Sequence, residues 1–305
     1  MELEQKLKQL LEEEDVVLGE EMKYHTTFRV GGPAHFFVTP KTEEQLQSVL
    51  KLCKETDTPW FILGRGSNLL VSDRGFDGVV IHMQKHWNHY HTEENRIFAQ
   101  AGAMMSAVSQ EALRNGLTGF EFASGIPGTI GGGLRMNAGA YGGEMKQVVL
   151  SAKVMDSNGT VLELSKDELE LGYRTSTIGR NGYIALSCVI ELQPGDPDCI
   201  RSTMEEMNAK RRQKQPLEYG SAGSTFKRPE GYFAGKLIQD AGLKGFSIGD
   251  AQVSEKHAGF VINRGNAKAA DIMKLCKEVS RRVHEQFGVN LEMEVRRLGK
   301  FEEEK

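Results

Sequence analysis

Residues 125–143 read GIPGTIGGGLRMNAGAYGG, with eight glycines among nineteen residues and no acidic side chain. No other stretch so limits the folds open to this chain. Glycine tolerates positive φ and lets backbone approach another group closely, and successive N–H groups in such a segment form concavities that hold anions. A second loop, Gly64-Arg65-Gly66-Ser67-Asn68, follows the apolar run Trp60-Phe61-Ile62-Leu63. Two such loops point to a ligand with two or more phosphates; the alternative is a pair of tight surface turns. Neither loop is a standard nucleotide fingerprint. There is no G-x-x-x-x-G-K-[ST]. Gly128, Gly131 and Gly133 lack the strand-then-helix setting and the downstream acidic residue of a Rossmann loop. A pyrophosphate is therefore expected in some other sheet-and-loop frame.

Composition narrows the function classes. The 305 residues suffice for two or three domains. A net charge of −4 argues against a nucleic-acid binder, which should carry a basic domain. No apolar run reaches the roughly 18 residues of a membrane helix. The acidic start MELEQKLKQLLEEED has no apolar core and does not read as a signal peptide. Cys53, Cys188, Cys199 and Cys276 are scattered without a C-x-x-C, which suits reduced cytoplasmic thiols rather than a metal site or disulfides. His82, His86, His89 and His91 cluster near Trp87, but their spacing favours a solvated loop over a metal site.

The periodicity gives an outline. Leu3, Leu7, Leu10 and Leu11 predict a helix over 2–14. Thr42-Glu43-Glu44-Gln45 predicts a capping box opening a helix that buries Leu46, Val49, Leu50 and Cys53. Strands are expected at 60–63 and 79–81, a helix at 104–114 and a hairpin around Ser157-Asn158-Gly159. A strand follows at 183–192, and Pro194-Gly195-Asp196-Pro197 reads as a domain boundary. Beyond it, helices are expected at 198–213, 233–241 and around Ile272–Phe287, with strands at 258–262 and 291–298. This mixture is α+β or α/β in at least two units.

Three constellations could carry chemistry. Gly220-Ser221-Ala222-Gly223-Ser224-Thr225-Phe226-Lys227-Arg228-Pro229 sets a hydroxyl among small residues and two cations. Ser224 could donate a proton or merely form a turn. In Tyr173-Arg174-Thr175-Ser176, the arginine could clamp a carboxylate or form a surface ion pair. In Leu291–Arg297, Glu292, Glu294 and Arg296 would share one face of a strand, which alone reads as a solvated face.

Taken in order, these pieces resemble the UDP-N-acetylenolpyruvoylglucosamine reductase family (UDP-N-acetylmuramate dehydrogenases). The matches run from TTFRVGG at 26–32 through ILGRGSNLLV at 62–71, SGIPGTIGGGLRMNAGAYGGE at 124–144, YRTS at 173–176, GSAGSTFKRP at 220–229, KLIQDAGLKG at 236–245 and HAGFVINRGNAKAADI at 257–272 to EVR at 294–296. The shorter, type II subtype is the more similar. The longer one inserts a loop with a substrate-binding tyrosine, for which there is no room after Arg174, and reads Lys-Asn-Pro where this chain has Lys227-Arg228-Pro229.

The resemblance implies an α+β chain. Residues 1–196 would form an FAD-binding region of the vanillyl-alcohol oxidase and p-cresol methylhydroxylase type, in subdomains of about 1–80 and 81–196. Residues 197–305 would form a substrate domain. FAD contacts would come from Gly64, Arg65, Gly66, Ser67, Asn68 and Leu69, from Ser124, Gly125, Ile126, Pro127, Gly128 and Thr129, and from Gly131, Gly132, Gly133, Asn137, Ala138 and Gly139. Lys214, Lys227 and Arg228 would bind the UDP-sugar. NADPH would reduce FAD, and the enolpyruvyl substrate would then take a hydride on its β-carbon. Arg174 would oppose charge on the carboxylate, Glu294 would hydrogen-bond it or assist its protonation, and Ser224 would protonate the α-carbon. The implied protein is a cytoplasmic monomer of peptidoglycan precursor synthesis, with no metal, membrane or nucleic-acid partner. The rival readings are a flavin oxidase or dehydrogenase of the same superfamily acting on another small molecule, and a nucleotide-binding module or flavin subunit without chemistry of its own.

Overall fold

The computed structural model describes residues 2–301. Two compact units emerge, and neither is contiguous in sequence. One takes the residues up to Leu18 with Phe36–Arg65 and Gly78–Lys210; the other takes Gly19–His35, Gly66–Asp77 and the chain from Arg211 onward. The expected division at 196/197 is thus replaced by a more interleaved one. Its cause lies in pairing that no local pattern reveals. Strand Arg296–Leu298 is parallel to Leu69–Val71, with Arg296 opposite Leu69, and parallel partners require a long connection.

The first unit holds two apolar cores. In one, α1 (Glu2–Leu10) contributes Leu7, and α2 (Glu43–Glu55) contributes Leu46, Val49, Leu50 and Cys53. They pack with Phe36, Val38, Val79 and Ile81. The Thr42 hydroxyl caps α2 by accepting the Gln45 N–H at 3.3 Å, while the Gln45 side chain accepts the Lys41 N–H at 2.7 Å. Strand Trp60–Leu63 runs parallel to Val79–His82 and aims the first glycine loop.

Beside this core Asp15 is 2% exposed. It accepts from Thr39 Oγ1, from Lys85 Nζ at 2.7 Å and from His86 Nε2 at 3.1 Å, and pairs with Lys41 at 3.1 Å. Burial alone would raise its pKa, but the bonds from Lys85, Thr39, His86 and Lys41 outweigh that and hold the carboxyl well below the usual range. His86 is thus engaged by a carboxylate. Among the described residues the cluster with metal-ligand spacing is Glu12, Glu14 and Asp15, without a histidine.

The second core lies on a five-stranded antiparallel sheet. Its order is Val161–Ser165, Val149–Met155, Ile184–Glu191, Arg96–Gln100, Tyr90–Glu93. The predicted hairpin is its edge, with Met155 opposite Val161. Helices α3 (Met105–Arg114) and α4 (Ile130–Met136) bury Met105, Val108, Ile130 and Leu134 in this core. Shorter helices α5 (Met145–Val148) and α6 (Thr177–Asn181) follow, then α7 (Pro197–Lys214), which begins at the predicted punctuation.

The second unit packs α8 (Ala234–Asp240) and the apolar face of α9 (Ala269–Phe287) against Ala251–Val253 and Val261–Asn263. Phe28 and Leu70 join this core from far upstream. Asp73 fixes the attachment, since its carboxylate accepts the Ala269 and Ala270 N–H groups at 2.8 and 3.0 Å. A carboxylate there also offsets the positive end of the helix dipole. Among the described residues no helix is long and apolar enough to cross a membrane. Cys53, Cys188, Cys199 and Cys276 are all free thiols. Burial pushes Cys53 up to about 11 and Cys188 and Cys276 up to about 12.

Candidate active site

The two glycine segments meet within the first unit. A methyl group on Gly64 would collide with the Thr129 hydroxyl. Thr129 is buried and caps α4, accepting the Gly132 N–H on its side chain at 3.4 Å and the Gly133 N–H on its carbonyl at 2.8 Å. The Ile130 and Gly131 N–H groups donate to the Ala103 and Ala101 carbonyls, each at 2.8 Å. The first four N–H groups of the helix are therefore spent inside the protein. This departs from the expectation that Gly131, Gly132 and Gly133 offer backbone to a pyrophosphate.

Two of those glycines have packing reasons instead. A Cβ on Gly131 would lie 3.0 Å from Ala101 Cβ, and one on Gly133 would lie 2.9 Å from Met105 Sδ. Gly132 is exposed, and a Cβ there would meet only the Thr129 hydroxyl at 3.6 Å. Asn137 is also committed to the scaffold. It caps α4 in the left-handed region, its amide donates to Glu144 at 3.1 Å, and its carbonyl accepts the Lys146 N–H at 2.9 Å. Gly139 lies too close to Gly143 and Glu144 for any side chain. Ser124 Oγ accepts from Asn208 at 3.2 Å.

Arg174 also belongs to this unit. It occupies the left-handed region at φ 54 in a turn closed by two bonds between Gly172 and Thr175. Such a conformation is costly for arginine and recurs where a side chain must be aimed. The turn is rigidly held. Buried Ser176 donates to the Arg135 carbonyl of α4 at 2.9 Å and accepts the Gly179 N–H at 3.2 Å, capping α6. The neighbouring Tyr173 is exposed, with the Arg174 guanidinium 5.4 Å from its ring centroid.

In the second unit the structure pairs Thr225, the residue after Ser224, with Glu294. Phe226 and Met293 form an antiparallel bridge, the Glu294 N–H donates to the Thr225 carbonyl at 2.8 Å, and the Lys227 N–H donates to the Glu292 carbonyl at 2.8 Å. Thr225 is fully buried and is the anchor of this pair. Its N–H donates to the Gly259 carbonyl and its hydroxyl accepts the Val261 N–H, both at 2.9 Å. Ser224 next to it is exposed and Glu294 is half-buried.

The expected strand over 291–298 is shorter, since only Arg296–Leu298 is regular. Residues 291–295 follow the irregular 220–229 segment instead of a straight partner. Glu292 is exposed and ion-pairs with Lys227, so it stands apart from Glu294.

Asn68 bonds to the same segment. Its amide donates to the Glu294 carbonyl at 3.2 Å and its backbone carbonyl accepts the Arg296 N–H at 3.1 Å. Gly66, at φ +65, has no space for a Cβ against the His25 carbonyl, and its own carbonyl accepts the Thr27 N–H at 3.2 Å. The buried polar atoms Asn68 Oδ1 and Thr27 Oγ1 have no hydrogen-bond partner. An unsatisfied buried polar atom is expensive and usually waits for a ligand or water. These atoms fit a polar ligand lying beside Asn68.

Sequence reasoning gave Thr27 no role, although it lies in the quoted TTFRVGG. His257 was also missed. Its Nδ1 accepts the Gly259 N–H at 3.1 Å, so its proton sits on Nε2. Burial, and then Lys244 and Lys214, lower its pKa.

Residues 215–298 match the family model described as UDP-N-acetylenolpyruvoylglucosamine reductase, C-terminal domain, and residues 34–165 match the FAD binding domain model. The enzyme of that name from Clostridium perfringens (strain SM101 / Type A) is 54% identical over 300 residues, covering 98% of both chains. The chain belongs to the UDP-N-acetylenolpyruvoylglucosamine reductase family. The Clostridioides difficile (strain 630) reductase is 53% identical over 290 residues, 95% of each chain. The crystal structure of the Thermus caldophilus reductase superposes with a TM-score of 0.79 at 36% identity, covering 93% of this chain and 98% of that one. p-Cresol methylhydroxylase aligns with a TM-score of 0.51 at 16% identity over 96% of this chain and 65% of its own, a likeness of fold alone. Family membership makes the chain an oxidoreductase of α+β fold with an FAD-binding domain.

Proposed function

We propose that this chain reduces the enolpyruvyl group of UDP-N-acetylglucosamine enolpyruvate to the lactyl ether of UDP-N-acetylmuramate, using NADPH. The observation that carries this reading is the antiparallel clasp in which the Glu294 N–H donates to Thr225, next to Ser224. It holds a hydroxyl and a carboxyl group on one anchored frame.

FAD would be held by Gly64–Leu69 and Gly125–Thr129, with Thr27 and Asn68 supplying polar atoms. Bound FAD supplies the hydride that the β-carbon of the substrate receives. The chain's own residues handle charge and proton. As the β-carbon gains its hydride, electrons move toward the substrate carboxylate. Arg174 opposes that charge, and a fixed guanidinium needs little reorganisation to do so. Glu294 hydrogen-bonds the same carboxylate. Ser224 Oγ gives its proton to the α-carbon and recovers one from solvent, to which it is exposed. Lys214, Lys227 and Arg228 would neutralise the diphosphate or carboxylate. The net change is one hydride and one proton added across one double bond.

The test has two steps. Purified protein should be yellow and bleach with NADPH; adding the enolpyruvyl substrate without air should restore the colour and yield the lactyl ether. Bleaching without recovery of colour would favour a flavin enzyme for another acceptor. Absence of bleaching would remove the redox reading.

A further inference from the structure

The segment after Ser224 exposes two large aromatic side chains. Tyr232 is 48% and Phe233 59% exposed. Phe233 is the N-cap residue of α8 and makes no side-chain cap bond. Serine, threonine, aspartate or asparagine is preferred there, since their oxygens satisfy a free N–H of the first turn. A solvent-facing phenylalanine breaks that local rule, and such breaks concentrate at functional positions.

Arg228 gives the ring a use. Its guanidinium carbon lies 3.9 Å from the Phe233 ring centroid, and its Nε–H donates to the Tyr232 carbonyl at 3.3 Å. The intervening residues form a tight turn, with the Tyr232 N–H donating to the Pro229 carbonyl at 3.1 Å and Gly231 at φ +74. A guanidinium is flat, with all its N–H donors at the rim. With its carbon over a ring and Nε committed, the guanidinium has fewer orientations open to it. An exposed arginine otherwise samples many rotamers and loses that freedom on binding.

We propose that Phe233 is a positioning residue, a shelf that pre-orients Arg228 toward an anionic group of the UDP-sugar. This rests on the reading of Arg228 as a substrate contact. Pre-orientation lowers the entropic cost of binding without touching the reacting atoms. The effect belongs in KM, with kcat unchanged. The anion is a diphosphate or a carboxylate, and guanidinium binds both in the same bidentate manner.

The experiment uses the flavin-loaded full chain. Phe233→Leu should raise KM for the enolpyruvyl substrate about 3- to 20-fold, the range of a cation–π contact in binding terms. The kcat, the rate of bleaching by NADPH and the thermal midpoint should stay within experimental error. Phe233→Trp should restore KM. In an Arg228→Met background Phe233→Leu should have no further effect. Inhibition by UDP separates the two anions: weakened inhibition in Phe233→Leu assigns the diphosphate, and unchanged inhibition assigns the carboxylate. If Arg228→Met raises KM but Phe233→Leu does not, the shelf is overturned and the substrate contact stands. If Phe233→Leu acts equally in the Arg228→Met background, the ring touches substrate itself and the positioning role is overturned. If Arg228→Met leaves KM unchanged, the underlying contact falls and the inference with it.

Discussion

Gly125–Gly143 and Gly220–Pro229 are both rich in small residues and use them for opposite ends. In the first segment, side chains at Gly131, Gly133, Gly139 and Gly143 would strike Ala101, Met105, Glu144 and Phe122. In the second, Gly220 is packed as tightly, a Cβ there lying 2.6 Å from the Phe28 carbonyl oxygen, but one on Gly223 would meet nothing within 4 Å. Ser224 beside it is exposed, while Thr225 is buried and bonded on three sides. One segment is scaffold that lets a short helix lie on a sheet. The other presents a reactive group from an anchored backbone. Glycine density therefore reports close packing at least as strongly as it reports a ligand.

The widest gap between the two regions should appear in turnover. Ser224→Ala and Glu294→Gln are expected to fold, retain flavin and lose about 10²–10⁴-fold in NADPH oxidation with the enolpyruvyl substrate, as when a general acid is removed. Near-normal turnover in Ser224→Ala would make its segment as inert as the scaffold.

Within the scaffold, Gly131→Val should cost about 1–3 kcal/mol by overpacking. Gly132→Val, on the exposed side, should cost less stability and lower the flavin retained after gel filtration. Urea unfolding with flavin absorbance reads both. A stable Gly131→Val that loses flavin would mean that Gly131 serves the ligand rather than the sheet.

A scaffold element outside both segments should answer to pH. The folded pKa of Asp15 lies below its unfolded value, so its contribution is full above the unfolded pKa of about 4 and is lost progressively as pH falls from there through the folded value. Asp15→Asn should remove about 1–3 kcal/mol at neutral pH, as for hydrogen bonds to a charged group. It should also flatten the acid limb of a stability profile. An unchanged limb would show that the lysines around Asp15 rehydrate without loss.

The smallest effect is expected at Glu292. Its pair with Lys227 is exposed, and such pairs contribute about 0–1 kcal/mol. Glu292→Gln should leave turnover near normal beside Glu294→Gln. A crippled Glu292→Gln would exchange the roles of the two carboxylates.

Much of this molecule could be read along the chain. The Thr42 cap, the Leu46–Cys53 face and the Val149–Ser165 hairpin follow from patterns of 3.6 and 2 and from turn chemistry, because they depend on neighbours a few residues away. The order of the motifs was enough to place the chain in its family and to nominate Arg174, Ser224 and Glu294. Sequence could not show that 19–35 and 66–77 fold with the C-terminal residues, since that choice rests on parallel pairing and core contacts across some 200 residues. Periodicity alone did not separate Glu292 from Glu294, a choice left to the EVR motif, because the period-two reading assumed a straight strand where the chain follows an irregular partner. Nor could it tell which glycines serve packing: the composition is the same for Gly131 and Gly132, and only the nearness of Ala101 to one of them divides scaffold from surface.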